Sequence, residues 1–244
     1  MAIVGSYREG VIRSNEKVGE NVYKLVVEGA FDGVPGQFYM LKAWGIQPLL
    51  ARPLSICDLD EESITFLYLV VGTGTRILSK LHAGDRLTLL GPLGTGFSYE
   101  GVETAAVVTG GIGIAPMLYL LKHLPGKVDL YAGFRDESYF LEELKPYVND
   151  VYLASDSGNV GICGTVCDVF EDRGYDAVFS CGPNPMFASL KKLVDPKKLQ
   201  ISMEAHMACG IGACLGCTVD TLDGMTRVCT DGPVFLAEEV NFDA

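Results

Sequence analysis

The stretch Ala105–Pro116 reads Ala-Ala-Val-Val-Thr-Gly-Gly-Ile-Gly-Ile-Ala-Pro. It predicts a buried strand, a glycine-rich turn and the start of a helix. Glycines let a pyrophosphate approach the backbone, and a helix N-terminus stabilises its negative charge. The spacing differs from the G-x-G-x-x-G dinucleotide fingerprint, so a tight strand–helix turn of any α/β domain is the alternative interpretation.

The sequence on both sides of this turn alternates between apolar strands and helical stretches. Strands are predicted at Ala105–Thr109, Val128–Ala132, Val151–Ala154, Ala177–Cys181 and Leu199–Met203. Helices are predicted at Ile114–His123, Tyr139–Leu144, Val166–Asp172 and Pro185–Leu193. This alternation indicates a parallel sheet that is covered by helices on both faces.

The first 98 residues have a different rhythm, with short strands separated by turn residues. Strands are predicted at Tyr7–Ile12, Val22–Val27, Phe38–Leu41, Leu54–Cys57, Ile64–Val71 and Arg86–Leu90, with a helical insert at Thr75–Leu81. Strands at this spacing are typical of a small antiparallel barrel. We therefore expect a domain boundary within Gly94–Gly101.

Four cysteines follow the α/β region in the pattern C-x4-C-x2-C-x11-C. They are Cys209, Cys214, Cys217 and Cys229. The opening C-x4-C-x2-C is the plant-type [2Fe–2S] spacing, and intervening glycines can direct N–H groups at sulfur. A zinc site or four buried thiols are the alternatives. The last cysteine follows too soon for an appended ferredoxin domain, and a hairpin of Thr218–Leu222 with Met225–Val228 is predicted between the last two cysteines.

The barrel region contains candidate phosphate and flavin contacts. Arg52-Pro53-Leu54-Ser55 offers a guanidinium fork for a pyrophosphate and a hydroxyl for a flavin ring nitrogen. Gly74 and Thr75 begin a helix and can cap a phosphate. Each residue also has an ordinary interpretation, namely a surface ion pair for Arg52, a strand hydroxyl for Ser55 and a helix cap for Thr75.

Composition excludes several classes of protein. The 244 residues are 48% hydrophobic and 20% charged, which is typical of a globular chain. The net charge of −12, without a basic stripe, argues against binding to nucleic acid or an anionic membrane. No stretch reads as a signal peptide or membrane span, so we expect a cytoplasmic chain whose eight cysteines serve metal or redox chemistry.

Taken in this order, the motifs resemble those of the ferredoxin–NADP reductase superfamily. With the cysteine-rich tail included, the whole chain resembles the electron-transfer subunits of type B dihydroorotate dehydrogenases. The resemblance implies an antiparallel flavin-binding barrel, a parallel-sheet nucleotide-binding domain and a small C-terminal iron–sulfur subdomain. The implied boundaries are 1–98 for FAD, 99–203 for NAD and 204–244 for [2Fe–2S].

The resemblance also assigns roles to residues. It places Arg52 on the FAD pyrophosphate, Ser55 near the flavin N5, and Cys181 beside the nicotinamide, so that Ser55 and Cys181 are the candidate catalytic residues. The remaining candidates for FAD contact are Pro53, Leu54, Leu67, Tyr68, Leu69, Gly74 and Thr75. Those for the nicotinamide nucleotide are Gly110, Gly111, Gly113, Pro116, Gly182 and Pro183. The four tail cysteines are the implied cluster ligands.

The implied function is an electron relay in pyrimidine biosynthesis. A partner subunit with FMN oxidises dihydroorotate, and electrons pass through [2Fe–2S] and FAD to NAD, in an assembly with two copies of each subunit. A sulfide dehydrogenase or a ferredoxin-linked transhydrogenase is the alternative. Asp136 and Glu137 favour NAD over NADP, although Arg135 could attract a 2′-phosphate. Val234, Phe235 and Leu236 are predicted either to anchor the partner or to pack onto the chain itself.

Overall fold

The computed structural model describes residues 5–242. Its N-terminal half forms one antiparallel sheet in the order β4-β3-β7-β1-β2-β6-β5. The strands are β1 (Ser6–Gly19), β2 (Val22–Glu28), β3 (Phe38–Lys42), β4 (Arg52–Ser55), β5 (Asp58–Leu59), β6 (Ser63–Leu69) and β7 (Arg86–Leu93). This sheet curves as a half-barrel, and the antiparallel flavin-barrel architecture expected from the sequence is confirmed.

The barrel interior is formed by apolar side chains at alternate positions of the strands. Leu25 and Val27 on β2 face inward and are fully buried, as are Ile64 and Phe66 on β6. Side chains at every second position of a strand share one face, so paired strands place these residues against each other. Helix α1 (Thr73–Leu78) follows β6 and buries Leu78 against the same interior.

The second sheet is parallel apart from one strand at its edge, in the order β11-β10-β9-β8-β12-β13-β16. Its strands are β8 (Thr104–Gly110), β9 (Lys127–Phe134), β10 (Val151–Ser155), β11 (Ile162–Cys163), β12 (Ala177–Cys181), β13 (Leu199–Ser202) and β16 (Val234–Leu236). The helices are α2 (Met117–Leu121), α3 (Leu141–Leu144), α4 (Val166–Val169) and α5 (Asn184–Leu193). The predicted parallel nucleotide-domain sheet is therefore present.

Three elements of this region differ from the prediction, and one of them is the two-residue edge strand β11, which was not predicted. The helix predicted at Ile114–His123 is instead a 3-10 turn at Gly111–Ile114 followed by the short α2. Pro116 lacks an N–H donor and precedes α2 as its N-cap, so the helix cannot continue through it. Strand β16 was not predicted, and it pairs antiparallel with β13.

The two sheets are joined by direct contacts between α2 and the barrel. The backbone N–H of Tyr119 donates to the carbonyl of Cys57 at 2.9 Å. The Tyr119 hydroxyl donates to the carbonyl of Gly33 at 3.2 Å. Lys122 forms an ion pair with Asp58 on β5. These contacts hold the carboxyl edge of the parallel sheet against the mouth of the barrel.

The tail beyond β13 is mostly irregular. Its one described hairpin joins β14 (Thr218–Thr221) to β15 (Gly224–Arg227), as predicted from Asp223-Gly224. The tail returns to the body through β16 and through a bridge between Thr221 and Val240. Within residues 5–242, no helix is long and apolar enough to cross a bilayer.

Candidate cofactor sites

A cavity of about 290 Å³ lies between the barrel, the glycine turn after β8 and the tail. The barrel residues on its wall include most of those predicted to touch a flavin. These are Arg52, Pro53, Leu54, Ser55, Leu67, Tyr68, Leu69 and Thr75. Pro116 contributes from the other domain. We call this space the flavin cavity.

Arg52 is held at one end of the flavin cavity by its own neighbours. Its guanidinium donates to the carbonyl of Leu50 at 2.7 Å and lies over the Trp44 ring, 5.5 Å from the centroid. Within residues 5–242 it forms no ion pair with a carboxylate, which leaves its charge available to an anion.

Gly74 lies directly beside that guanidinium. A Cβ at this position would come within 2.5 Å of the Arg52 Nε. Any other residue would therefore displace the arginine from the cavity. Thr75 has a local role, since its hydroxyl accepts from the N–H groups of Val71 and Gly72 and shapes the turn before α1. The conformation of this turn and the position of the Arg52 side chain therefore depend on each other.

The middle of the cavity wall is apolar with one free hydroxyl. Ser55 is partly exposed, and within the described chain its side chain makes no hydrogen bond. Leu67 and Leu69 lie on one face of β6 and pack toward the second domain. Tyr68 points the other way, where its hydroxyl donates to Asn15 at 3.1 Å inside the barrel. The Tyr68 side chain therefore belongs to the barrel core.

The tail supplies a wall that sequence reasoning missed. Its contributors are Met203, Glu204, Ala205, Met207 and Pro233. The backbone N–H of Met203 donates to the carbonyl of Pro233 at 2.9 Å, so both tail segments are joined at the cavity. A lone glutamate in an apolar run just before the first cysteine was the available signal for this wall.

Glu204 is the acidic group of the flavin cavity. The residue is solvent-exposed overall, but partial desolvation at the cavity wall raises the pKa of its carboxyl above the usual value. Its charge also contributes to raising the pKa of Tyr139 to about 12, although burial of that phenol is the larger cause. Burial and Glu204 likewise raise the pKa of the Cys181 thiol. These three groups therefore lie close together between the two domains.

A second cavity of about 390 Å³ opens at the carboxyl ends of β8, β9, β10 and β12. Parallel sheets bind nucleotides at this edge. Its wall includes Gly110, Gly111 and Pro183 from the predicted set, together with Arg135, Asp156, Cys167 and Ser189. We call this space the nucleotide cleft.

The remaining predicted nucleotide residues pack the two loops of the cleft together. A Cβ on Gly113 would come within 2.1 Å of the Cys181 carbonyl oxygen, and one on Gly182 within 2.5 Å of Met186. Cys181 itself is 2% exposed and lies outside both cavity walls, with its thiol near the Ser202 hydroxyl. Tight turn packing, the alternative interpretation, therefore accounts for part of the glycine pattern.

The acidic residue that lines the nucleotide cleft is not one of those that the sequence predicted after β9. Asp136 is held by hydrogen bonds from Ser157 and Asn159, which lower its pKa. Arg135 and Asp156 line the nucleotide cleft instead. An acidic group that accepts from a ribose 2′-hydroxyl favours NAD, and Asp156 is the acid that is positioned in the cleft.

The four tail cysteines lie close together. The thiol of Cys209 interacts with that of Cys214, and the thiol of Cys229 interacts with those of Cys217 and Cys209. Among residues 5–242, no group of three or more histidine, cysteine or acidic side chains has the geometry for a single metal ion. A [2Fe–2S] cluster takes four thiolates, two at each iron, so it would use all four cysteines.

Backbone N–H groups surround these sulfurs. Gly212 donates to the Cys229 sulfur at 3.2 Å and Gly216 to the Cys214 sulfur at 3.5 Å. Burial raises the pKa of the Cys209 thiol, but donors from Ile211, Cys214 and Ala213 outweigh it and lower the pKa to about 7. Iron binds thiolates, so donors that stabilise negative sulfur fit this chemistry.

The other cysteines and the tail histidine are scattered. The apolar sequence around Cys57 and Cys163 predicts that both are core residues. Cys57 is buried in the core, but Cys163 is exposed on the edge strand β11, so the prediction is wrong there. Cys167 is half-buried in the nucleotide cleft. His206 is exposed.

Comparison with known proteins identifies the family. Residues 204–241 match the model of the iron–sulfur cluster binding domain of dihydroorotate dehydrogenase B. The dihydroorotate dehydrogenase B (NAD(+)) electron transfer subunit of Clostridium acetobutylicum is 48% identical, over 94% of this chain and 95% of that one. The chain belongs to this family. The corresponding subunit of Clostridium perfringens is 40% identical, over 97% of this chain and 98% of that one.

Solved structures share the fold of this electron transfer family. A structure of an NADH-dependent reduced ferredoxin–NADP oxidoreductase superposes with a TM-score of 0.86 at 26% identity, over 96% of this chain and 90% of that chain. The ferredoxin reductase of carbazole 1,9a-dioxygenase superposes with a TM-score of 0.69 at 20% identity, over 82% and 70% of the two chains. The ferredoxin–NADP reductase-like fold is thereby confirmed.

Proposed function

We propose that this chain is the electron transfer subunit of an NAD-dependent dihydroorotate dehydrogenase. It relays electrons between a catalytic partner subunit and NAD, in the oxidation of dihydroorotate to orotate during pyrimidine biosynthesis. When bound, FAD exchanges a hydride with the nicotinamide and single electrons with a [2Fe–2S] cluster. The chain supplies the binding sites and their relative positions.

One observation carries this proposal: the flavin cavity and the cysteine loop share a wall. Met207 lines the cavity and is two residues from Cys209. Pro233 lines it four residues after Cys229. A Cβ on Gly210 would come within 2.8 Å of Met40, a core residue of the barrel strand β3. The two redox sites are therefore built against each other.

We assign the flavin contacts as follows. The unpaired Arg52 guanidinium binds the FAD pyrophosphate, while the turn at Gly74 and Thr75 keeps the arginine at that end. The free Ser55 hydroxyl and the apolar wall hold the isoalloxazine and exclude water. The nucleotide cleft holds NAD, with Gly110 and Gly111 near its pyrophosphate and Asp156 near the adenosine ribose.

We assign the tail cysteines as the cluster ligands and the division 1–98, 99–203 and 204–244 as the three cofactor regions. The tail is not free of the second region, because β16 adds an edge strand to its sheet. Phe235 is 7% exposed within that strand. Residues 234–236 therefore pack onto the chain itself.

We propose that the partner is a catalytic subunit with FMN and that the assembly contains two copies of each chain. The rival is the flavin subunit of a sulfide dehydrogenase or of a ferredoxin-linked transhydrogenase. The superposition on the ferredoxin–NADP oxidoreductase favours that rival at the level of fold. Identity favours the dihydroorotate enzyme, at 48% against 26%.

Co-expression with a dihydroorotate dehydrogenase B catalytic subunit tests the function. We expect the two chains to co-purify and to reduce NAD with dihydroorotate. The isolated chain should oxidise NADH with an artificial acceptor and should leave dihydroorotate unchanged, since we assign its two cavities to FAD and to the nicotinamide nucleotide.

A Cys214→Ser complex is the matched control for the relay. It should lose dihydroorotate-dependent NAD reduction and keep NADH oxidation by an acceptor that takes electrons from the flavin. Dihydroorotate oxidation by the isolated chain would contradict the relay. Stable binding to a ferredoxin- or sulfide-linked subunit in place of the catalytic subunit would support the rival.

A further inference from the structure

Tyr139 carries a hydroxyl group that the protein itself does not use. The ring is held by packing, edge-to-face against Phe134 with 5.2 Å between the ring centroids. A Cβ on Gly19 of the barrel would come within 3.1 Å of the Tyr139 Cβ, so the first domain also contacts this side chain. Within residues 5–242 the hydroxyl forms no hydrogen bond. A phenylalanine would make the same packing contacts, so packing does not account for the hydroxyl.

The hydroxyl faces an open space beside the glycine-rich turn. Gly111 has a φ of +56°, in the left-handed region that favours glycine. A Cβ on Gly111 would lie 4.0 Å from the Tyr139 hydroxyl, and no other described residue outside the turn comes within that distance. At Gly113, by contrast, a Cβ would overlap the Cys181 carbonyl. The turn is therefore closed by protein at Gly113 and open toward Tyr139 at Gly111.

This open space lies where the two cavities approach each other. Gly111 lines the nucleotide cleft, whereas the next residue of the turn, Ile112, lines the flavin cavity. Glu204 also lines the flavin cavity, and its charge acts on the Tyr139 hydroxyl. A dinucleotide whose adenosine lies in the cleft must extend past this point for its nicotinamide to reach the flavin.

The Tyr139 hydroxyl has the properties of a hydrogen-bond donor to such a ligand. Burial, with a smaller contribution from Glu204, raises its pKa to about 12, so the O–H proton is retained at neutral pH. A partly buried hydroxyl without a partner is unfavourable until an acceptor is supplied. The ribose and phosphate oxygens of a nucleotide are such acceptors.

We propose that the Tyr139 hydroxyl donates a hydrogen bond to a ribose or phosphate oxygen in the nicotinamide half of NAD. This inference rests on the proposed function, which assigns NAD to the nucleotide cleft. The contact holds the nicotinamide half on the flavin side of Gly111. The tyrosine ring then serves packing between the domains, and its hydroxyl serves the ligand.

The test replaces Tyr139 with phenylalanine, which keeps the ring and removes only the hydroxyl. Loss of one hydrogen bond should weaken NAD binding to the FAD-loaded chain roughly 2- to 12-fold, measured by titration calorimetry. Binding of 5′-AMP, which lacks the nicotinamide half, should not change. With NADH and an artificial acceptor, kcat/KM should fall by a similar factor. FAD content per chain should stay at the wild-type value.

Tyr147→Phe is the matched control. Tyr147 is 41% exposed on the turn after α3, and its hydroxyl likewise forms no hydrogen bond within the described chain. This variant should bind NAD like the wild type. Wild-type NAD affinity in Y139F, or an equal loss of affinity for NAD and 5′-AMP, would overturn the contact, and so would loss of FAD. Failure of the wild-type chain itself to bind NAD would instead overturn the assignment of the nucleotide cleft.

Discussion

The flavin cavity and the cysteine loop are adjacent, yet they are built in different ways. The cavity wall comes mainly from strands β4 and β6, whose backbones are fixed by the barrel ladder. The cysteine loop has no regular structure between Met203 and Thr218. Its sulfurs are positioned by neighbouring N–H groups and by each other.

This difference indicates which forces shape each site. The walls of the cavity are fixed by the strand ladders and by burial of the barrel interior. The loop lacks an apolar core of its own, and metal ligation contributes folding free energy to such a segment. Changes to the loop should therefore affect the cluster far more than the flavin, and changes to the cavity should do the reverse.

The largest expected effect is loss of a cysteine ligand. Cys214→Ser or Cys217→Ser should abolish the iron–sulfur absorption while most FAD remains bound. The measurement is iron, sulfide and flavin content per chain. Cys163→Ser is the matched control, because that thiol is exposed and far from the quartet in sequence. Full iron and sulfide content in both ligand variants would contradict the assignment.

The reverse experiment is Arg52→Ala. Loss of a charge-assisted contact costs about 1.5–3 kcal/mol, which corresponds to roughly 10- to 150-fold weaker FAD binding. The dissociation constant of FAD from the apo chain measures it, and cluster content should stay near wild type. Arg86→Ala, which removes an exposed arginine paired with Glu9, should leave FAD binding unchanged. Equal FAD affinity in both variants would remove Arg52 from the pyrophosphate site.

Gly74→Ala tests whether the turn positions that arginine. The added Cβ would overlap the guanidinium, so FAD binding should weaken by up to the loss seen in Arg52→Ala. In the Arg52→Ala background, Gly74→Ala should weaken FAD binding no further, because the guanidinium that the added Cβ would displace is absent. Additive losses in the double variant would show that Gly74 acts independently.

Trp44→Ala should have a smaller effect on the same site. The ring lies under the Arg52 guanidinium, and such a contact at a partly exposed position is worth about 0.5–1 kcal/mol. FAD binding should weaken roughly 2- to 5-fold. An affinity loss as large as that of Arg52→Ala would mean that Trp44 contacts the dinucleotide directly.

The smallest expected effect is at Asp231, near the last cysteine. The backbone N–H and guanidinium of Arg227 lower the pKa of this carboxyl, so its contribution to stability is present above about pH 4 and lost as pH falls further. Since the side chains of Arg227 and Asp231 are both about 40% exposed, Asp231→Asn should lower the free energy of unfolding by only about 0.2–1 kcal/mol. Cluster loss on heating should differ between variant and wild type at pH 7 and converge below pH 4.

Several features were readable from local sequence. Cysteine spacing, the strand Arg52–Ser55 and the glycine turn after β8 each carry their chemistry within a dozen residues. Hydrophobic alternation predicted most strands, because burial of one strand face is a local pattern. The Asp223-Gly224 turn likewise predicted the tail hairpin. Short strands such as β5 and β11 were missed, because two residues cannot establish a period.

Tertiary contacts decided the rest. Glu204 and Met207 are cavity residues only because the tail folds back over the barrel, which no local pattern encodes. Sequence left two interpretations of residues 234–236, a partner anchor or packing onto the chain itself, and the structure places them at the edge of the second sheet, since an unpaired β13 edge was available to them. Asp136 and Glu137 were the acids expected to favour NAD, whereas Asp156 is the acid that lines the assembled cleft.

The amino-acid sequence by itself therefore indicated the order of the cofactor regions and the arginine, thiol and glycine groups that we assign to them. These properties depend on residue type and short-range spacing. The tertiary structure alone decided which of those groups share a wall, and that Cys181 is buried and Cys214 exposed. Such properties depend on contacts between segments far apart in the chain, where burial and chain closure, rather than local propensity, determine the outcome.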